Sequence, residues 1–392
     1  MTPQAREAAA IALLDRWLAG EPAEAALTRW ARSARYAGSG DRAAVRDHVY
    51  AAIRRRRSAA ALGGGRTGRA LLLGLHREAG DQPPCWGDAP HAPASLSSGE
   101  RALFSAPRPD MTRGERLDCP DWLLAHFDRA LGSEAGPVLM AMRQRAPVFL
   151  RVNAARAERT QVIDMLANEG VQARPHPLAV QALEIVQGAR RVRATAAWRE
   201  GLIELQDAAS QAVAERFAAA LPRGARALDF CAGGGGKALA LAAMGHAVSA
   251  HDADPARMRD LPERARRAGA SVPPVADPCR HAPWPALLAD APCSGSGSWR
   301  RTPEAKWALT PERLAALLSL QDDILDEAAG LIGAGGLLGY ATCSLFRDEN
   351  EERIDAFLAR HPDWALVSSA RWSPLQGGDG FFLALLRRDA SG

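Results

Sequence analysis

From Arg226 onward the chain alternates short apolar runs with helical stretches, and few folds accommodate that rhythm. Ala227-Leu-Asp-Phe-Cys231 is an apolar run, Ala232 to Gly236 is a glycine-rich turn, Lys237 to Met244 has helical character, and Ala247 to Ala250 is a second run ending near Asp252. Further strand candidates are Ala286 to Ala289, Leu337 to Thr342 and Phe381 to Leu386, with a long helix expected over Pro311 to Leu331. Strands separated by helices pair in parallel through crossovers, so the pattern predicts a doubly wound α/β sheet. Residues 220–392 are assigned to this domain.

The upstream pattern is different. Ala8, Ile11, Leu14 and Leu18 recur at helical spacing, as do Val45, Val49 and Ile53, so residues 1–80 are expected to be an all-helical domain. Prolines 83, 84, 90 and 93 among Ser and Gly mark 81–118 as a linker. Residues 119–219 mix a helix near 121–144, a strand at Val148 to Val152 and a helix from Arg159 to Glu169, which reads as a connecting α+β subdomain. At roughly 100 to 200 residues per domain, 392 residues suit this division. With 47% hydrophobic and 24% charged residues, the chain is not disordered, collagenous or membrane-like in composition. The uncharged run Ala328 to Phe346 is broken by Gly330, Gly333, Gly335, Gly336 and Gly339, so it reads as a helix end, a turn and a strand rather than a membrane span. Arg6, Glu7, Asp15 and Arg16 bracket any apolar stretch near Met1, unlike a secretory signal, so a cytoplasmic protein is expected.

Charge is uneven. Residues 1–80 hold 14 Arg and 7 acids, net +7, whereas the rest of the chain is net −3. The density peaks at Arg54, Arg55, Arg56 and Arg57. A basic face implies a polyanionic partner, against the plainer reading of solvated charge at a helix end. Only two of the 49 basic residues are Lys, Lys237 and Lys306, which points to a need for a compact ammonium there. The six cysteines, 85, 119, 231, 279, 293 and 343, include no C-x-x-C pair. A disulfide framework or metal site is therefore not expected, and a special cysteine is expected to be a nucleophile.

Three segments can carry chemistry. Asp229 to Lys237 hands a strand over to a helix through Ala232, Gly233, Gly234, Gly235 and Gly236, with Asp252 about twenty residues on to hold ribose hydroxyls. Such a loop suits a dinucleotide or S-adenosylmethionine. The glycines fit G-x-G-x-x-G poorly, and an acidic rim suits a sulfonium better than a pyrophosphate. Asp290-Ala-Pro-Cys293 follows one strand and Thr342-Cys343-Ser344 the next, so both cysteines fall at the carboxyl ends of strands, where ligands bind in such sheets.

Asp290-Ala-Pro-Cys-Ser-Gly-Ser-Gly297 with Arg300-Arg-Thr-Pro-Glu-Ala-Lys-Trp307, and Tyr340-Ala-Thr-Cys-Ser344 followed by Glu349-Asn350-Glu351, resemble the two cysteine motifs of the Sun/RsmB family of RNA cytosine-5 methyltransferases. The similarity extends to Cys231–Lys237, Arg151-Val-Asn153, Gln206–Gln211 and Asp379-Gly-Phe-Phe382, and Asp41-Arg42 and Val49-Tyr50 resemble a NusB-like RNA-binding domain. The resemblance implies a Rossmann-like class I methyltransferase domain, S-adenosyl-L-methionine as cofactor, structured and ribosomal RNA as substrate, and methylation of cytosine carbon 5. It implies Cys343 as the nucleophile, Cys293 for release, Asp290 beside the base, and Lys237 as part of the activating field. It also implies Asp229, Cys231, Asp252, Asp277 and Asp290 with the loop for the cofactor. Arg54 to Arg57, Arg151, Asn153, Arg300, Arg301, Lys306 and Trp307 are the candidate RNA contacts. The family loop is Cys-Ala-Ala-Pro-Gly-Gly-Lys, and this chain departs from it at Gly233 and Gly234. A monomer without membrane association is expected. The alternative readings are a non-catalytic RNA-binding or assembly factor that keeps the fold, a nicotinamide-dependent dehydrogenase, and a DNA methyltransferase acting through Cys293.

Overall fold

Among the described residues, ten strands in two sheets lie from Val148 onward, and the chain before Val148 is helical where it is regular. The computed structural model describes residues 1–390. Contacts divide it into two units, one of residues 1–145 with Trp299–Ala308, the other of the remainder.

The first unit is helical. Helices Pro3–Leu18, Ala23–Ser33, Ser39–Arg54, Arg56–Gly63 and Gly68–Ala79 bury Leu13, Leu14, Val45, Val49, Ile53 and Leu71 in one core. Thr2 and Thr67 cap two of them by accepting from Ala5 N–H and Ala70 N–H. The expected linker 81–118 is more ordered than its prolines suggest. Trp86 and Leu96 join the core, and Ser98–Ser105 and Arg113–Arg116 are short helices. Each begins with a capping box, Ser97 with Glu100 and Thr112 with Glu115, whose S/T-x-x-E spacing is visible in the sequence. The single helix expected near 121–144 is two, Asp121–Leu131 and Ala135–Met142, because Gly132 takes φ +54° between them. Both group with the first unit rather than with the subdomain expected to start at 119.

The second unit opens with a four-stranded antiparallel sheet of β1 (Val148–Val152), β2 (Gln172–Pro175), β3 (Ala182–Gln187) and β4 (Ile203–Leu205), in the order β2-β3-β1-β4. The larger sheet contains β5 (Arg226–Asp229), β6 (Ala247–Ala250), β7 (Trp284–Asp290), β8 (Ile332–Thr342), β9 (Trp364–Trp372) and β10 (Phe381–Arg388) in the order β6-β5-β7-β8-β10-β9. The first four strands of that order run parallel, and β10 is antiparallel to both β8 and β9. Side chains alternate between faces, as a pleated strand requires. Ala286 and Leu288 pack with helices Ala208–Ala219 and Gly236–Ala243, whereas Leu287 and Ala289 pack with helices Pro311–Leu331 and Glu351–Arg360.

The sheet is therefore doubly covered and Rossmann-like, as the alternation predicts. Its strand order reverses between β5 and β7, which opens a crevice at their carboxyl ends. The antiparallel β10 brings its first residues to that same edge, with Phe382 opposite Thr342. Among the described residues, no helix is long and apolar enough to cross a membrane.

Candidate active site

Asp229, Lys237, Asp290, Cys293 and Cys343 lie at or just beyond the carboxyl ends of β5, β7 and β8. Asp229 closes β5 and is 1% exposed. Its Oδ2 accepts from Ala238 N–H at 2.9 Å, while Oδ1 is buried without a partner. Burial pushes this carboxyl up to about 7; the charges of Asp290 and Asp252 add to the rise, and Lys237 opposes it. Between Asp229 and the helix the chain turns through Gly233 at φ +51° and Gly235 at φ +76°, conformations glycine adopts without a Cβ clash. Asp252, beyond β6, takes the Gly233 N–H at 2.8 Å and so fastens the loop from the side. Lys237 is buried at the start of the helix, and its ammonium donates to Asp290 Oδ2 at 2.5 Å, 5.0 Å from the centre of the Phe381 ring. Burial pulls Lys237 down, but the charge and hydrogen bond of Asp290, with Asp229 behind it, leave it above its ordinary value. Lys237 stays an ammonium.

The cysteine turns converge. Cys293 Sγ and Cys343 Sγ are 3.4 Å apart although fifty residues separate them. The Cys293 turn is bound to the Cys343 turn by Gly297 N–H donating to Cys343 O, and to the start of β10 by Gly380 N–H donating to Gly297 O, both at 2.9 Å. A Cβ on Gly297 would lie 2.2 Å from Gly380 O, so only glycine permits this approach. The hydrogen bond with Cys343, together with burial, pushes the Cys293 thiol well above its ordinary value. Cys293 therefore keeps its proton at neutral pH. Ser294 and Ser344, the residues after each cysteine, share the buried carboxylate of Glu349. Sequence reasoning quoted Glu349 only as a flank of the motif; the serine following each cysteine is the signal that could have found it.

Two other expected cofactor residues stand differently. Cys231 is half-buried against the core that contains Phe230, and burial raises its thiol far above the ordinary range. Asp277 is not drawn into the cluster. It caps the turn Pro278–His281 through Cys279 N–H and pairs with Arg280 at 3.1 Å. Among the described residues, no group of three or more His, Cys, Asp or Glu is arranged to hold a metal ion.

The family model described as 16S rRNA methyltransferase RsmB/F matches residues 218–387, and one described as a RsmF/B-like ferredoxin-like domain matches residues 119–192. The chain belongs to the RsmB/F methyltransferase family. Ribosomal RNA small subunit methyltransferase B of Yersinia pseudotuberculosis and that of Yersinia pestis are each 32% identical to it over 283 residues, 68% of this chain. The chain spans 65% of the length of these relatives. The crystal structure of PH0851 is similar at a TM-score of 0.76 with 23% identity, covering 99% of both chains. That of NSun6 from Pyrococcus horikoshii with SFG has a TM-score of 0.60 and 18% identity, covering 70% of this chain and 99% of the other. At these identities the likeness is one of fold.

For an RsmB/F methyltransferase the expected donor is S-adenosyl-L-methionine, and the residues fit it. A buried carboxylate oxygen without a partner, a second carboxylate at Asp252 and a glycine loop whose backbone can be approached suit a cationic, ribose-bearing ligand better than a polyanion. The departure at Gly234 is braced: Arg264 donates to Gly234 O and to Glu204, holding the loop from outside.

Most of the expected RNA contacts are engaged within the protein. Arg54 to Arg57 do not form a free basic face. Arg54 donates to Arg300 O at 2.8 Å, Arg55 to Glu78 at 3.0 Å, and Arg57 to Asp121 at 2.7 Å and Cys119 O at 2.6 Å. Arg56 lies over the rings of Trp17 and Trp307. Burial lowers Arg54 to about 10. Lys306 is 2% exposed and burial lowers it to about 8, while Trp307 donates to Ile53 O at 2.8 Å. Arg300 is buried and Arg301 half-buried in the same segment. Arg151 and Asn153 are interior ties as well. Arg151 donates to Gln206 and to Gly236 O, and Asn153 to Gly201 O and Ala268 O, which joins the small sheet to the cofactor side of the large one. Arg54, Arg55, Arg57, Arg151, Asn153 and Trp307 thus act as donors to carbonyls and carboxylates distant in sequence.

Proposed function

We propose that this protein methylates carbon 5 of a cytosine in ribosomal RNA, using S-adenosyl-L-methionine and a covalent bond from Cys343 to carbon 6 of the base. The 3.4 Å approach of the Cys293 and Cys343 sulfurs beside the Lys237–Asp290 pair carries this reading. Carbon 5 of cytosine is a poor nucleophile. Addition of the Cys343 thiolate to carbon 6 moves the double-bond electrons to carbon 5, which can then attack a methyl group. When bound, S-adenosyl-L-methionine supplies that methyl on a sulfonium.

The chain's own groups have separable tasks. The Lys237 ammonium gives the positive field that favours a thiolate, since a free thiol is only a few per cent ionised at neutral pH. Asp290, fixed by Lys237 at Oδ2, accepts through Oδ1 from cytosine N3 once that atom, gaining electron density, has taken up a proton. After transfer a water takes the carbon 5 proton, the freed electron pair re-forms the ring double bond, the carbon 6–sulfur pair returns to Cys343, and the same water returns a proton to Cys293 once Cys293 has protonated that sulfur. Cys293, protonated and in contact with Cys343, gives its proton to the departing sulfur. Asp229, Asp252 and the loop from Cys231 to Gly236 hold the donor. The target base must be unstacked to expose carbon 6 and carbon 5, which favours a loop or bulge over a duplex.

Incubating Cys293→Ala with RNA and labelled donor tests the assignment. A protein–RNA adduct should accumulate, and it should be absent from Cys343→Ala. Adduct in the second variant and not the first would reverse the two roles; adduct in neither would remove the covalent step.

A further inference from the structure

Glu349 lies beneath both cysteine turns, and none of its hydrogen bonds reaches a sulfur. Its side chain is fully buried. Oε1 accepts from Ser294 N–H at 2.7 Å and from Gln321 Nε2 at 3.1 Å; Oε2 accepts from the Ser294 hydroxyl at 2.5 Å and from the Ser344 hydroxyl. Four donors on two oxygens match the acceptor capacity of a carboxylate. Ser294 follows Cys293 and Ser344 follows Cys343, so one side chain grips the neighbour of each sulfur.

The surrounding bonds lead to the same place. Tyr340 donates its hydroxyl to Glu349 O at 2.8 Å, which anchors Glu349 to β8, the strand that ends one residue before Cys343. Gln321 also donates to Pro292 O at 2.9 Å, which ties the residue before Cys293 to the same carboxylate. A buried carboxylate is costly unless every lone pair is satisfied, and an apolar side chain would fill the space more stably. Filling space does not explain an acid here. Fastening two independent turns to one another does.

We propose that Glu349 is a positioning residue for the two-cysteine reaction, holding the turns after β7 and β8 so that Cys293 and Cys343 stay in contact. The inference rests on the cysteine roles proposed above. It concerns kcat rather than binding, because neither the donor loop nor the Lys237–Asp290 pair is bonded to Glu349.

The test compares Glu349→Gln with wild type, Cys293→Ala and Ser344→Ala, with donor binding by calorimetry as the check on folding. Glu349→Gln keeps the volume but puts a donor where an acceptor is needed. Its kcat should fall on the order of a hundredfold, with KM for RNA and donor unchanged, and adduct should accumulate as in Cys293→Ala. In the protein without RNA, diamide should form the Cys293–Cys343 disulfide on the order of tenfold more slowly than in wild type; the two thiols are oxidised and diamide is reduced to the hydrazine. Ser344→Ala, which removes one of four donors, should show smaller changes of the same kind and serves if Glu349→Gln does not fold. Wild-type kcat and wild-type disulfide rate in a folded variant overturn the proposal, as does a rise in both KM values at constant kcat. If Cys293→Ala accumulates no adduct, the cysteine roles fail instead, and the diamide rate still decides whether Glu349 sets the sulfur contact.

Discussion

The Lys237 ammonium donates to Asp290 Oδ2 at 2.5 Å across the carboxyl ends of β5 and β7, with both residues beside the cysteine pair. This is one of the chain's two lysines, in a protein that otherwise uses arginine for its basic residues. A compact ammonium fits between Asp290 and the Phe381 ring, where a planar guanidinium would need a wider slot. Lys237→Met should therefore lower single-turnover methyl transfer on the order of a hundredfold, and Lys237→Arg should not restore it. Full activity in Lys237→Arg would show that charge alone suffices at this position.

Asp229 predicts a pH dependence for donor binding. Its folded carboxyl is pushed up to about 7, so it is neutral below that value and ionised above it. A cationic sulfonium prefers the ionised form. Donor affinity should be full above about pH 7 and fall as pH drops through it, approaching tenfold per unit, with Asp229→Asn giving a flat profile. Without donor the linkage has the opposite sign. The native state holds this proton where the unfolded chain has lost it, so this group's contribution to stability declines as pH rises from about 4 to 7. Calorimetry across pH 5.5 to about 8.5, repeated with uncharged S-adenosylhomocysteine, checks both the slope and its dependence on ligand charge.

The Arg264 guanidinium stands where the loop has lost the stiffness of the family's Ala-Pro. It joins Gly234 O to the Glu204 carboxylate, which is 5% exposed and also receives Arg267. Arg264→Ala should free the loop and weaken donor binding about fivefold, the effect of one hydrogen bond of about 1 kcal/mol, while thermal unfolding changes little. An unchanged dissociation constant would mean that the loop is held by Asp252 alone.

Legibility in the sequence followed the range of the interactions involved. The helix Pro311–Leu331, the parallel strands and the meeting of Cys293 with Cys343 could all be read, because periodicity is local and strand ends in such a sheet share one edge. The short helices at Ser98 and Thr112 carried readable capping boxes, but nearby prolines dominated the reading. The pairing of the four arginines at 54–57 was out of reach for a different reason. Counting charge along a segment cannot reveal that Glu78, Asp118 and Asp121 fold back against it. Glu349 was hidden likewise, since its partners lie up to 55 residues away.

Asp118 offers the test of that long-range pairing. It lies in the stretch expected to be a linker, yet it is fully buried and adopts φ +49°, a left-handed backbone that Asp tolerates better than most residues. Its Oδ1 accepts from Arg57 N–H at 2.9 Å and Ser58 N–H at 2.8 Å, so it caps the helix Arg56–Gly63 from sixty residues away. Its Oδ2 accepts from the Ser58 hydroxyl at 2.8 Å and from Arg143 Nε at 2.7 Å. Asp118→Ala orphans two helix N–H groups and leaves a buried guanidinium short of its partner, so the helical unit should lose about 3 to 5 kcal/mol. Asp118→Asn keeps the shape and one acceptor, and should lose less. Urea unfolding followed through tryptophan fluorescence should show the helical unit melting earlier in Asp118→Ala, with donor binding by the methyltransferase domain retained. Equal midpoints for Asp118→Ala and wild type would mean that the arginine cluster is braced by Glu78 and Asp121 without it.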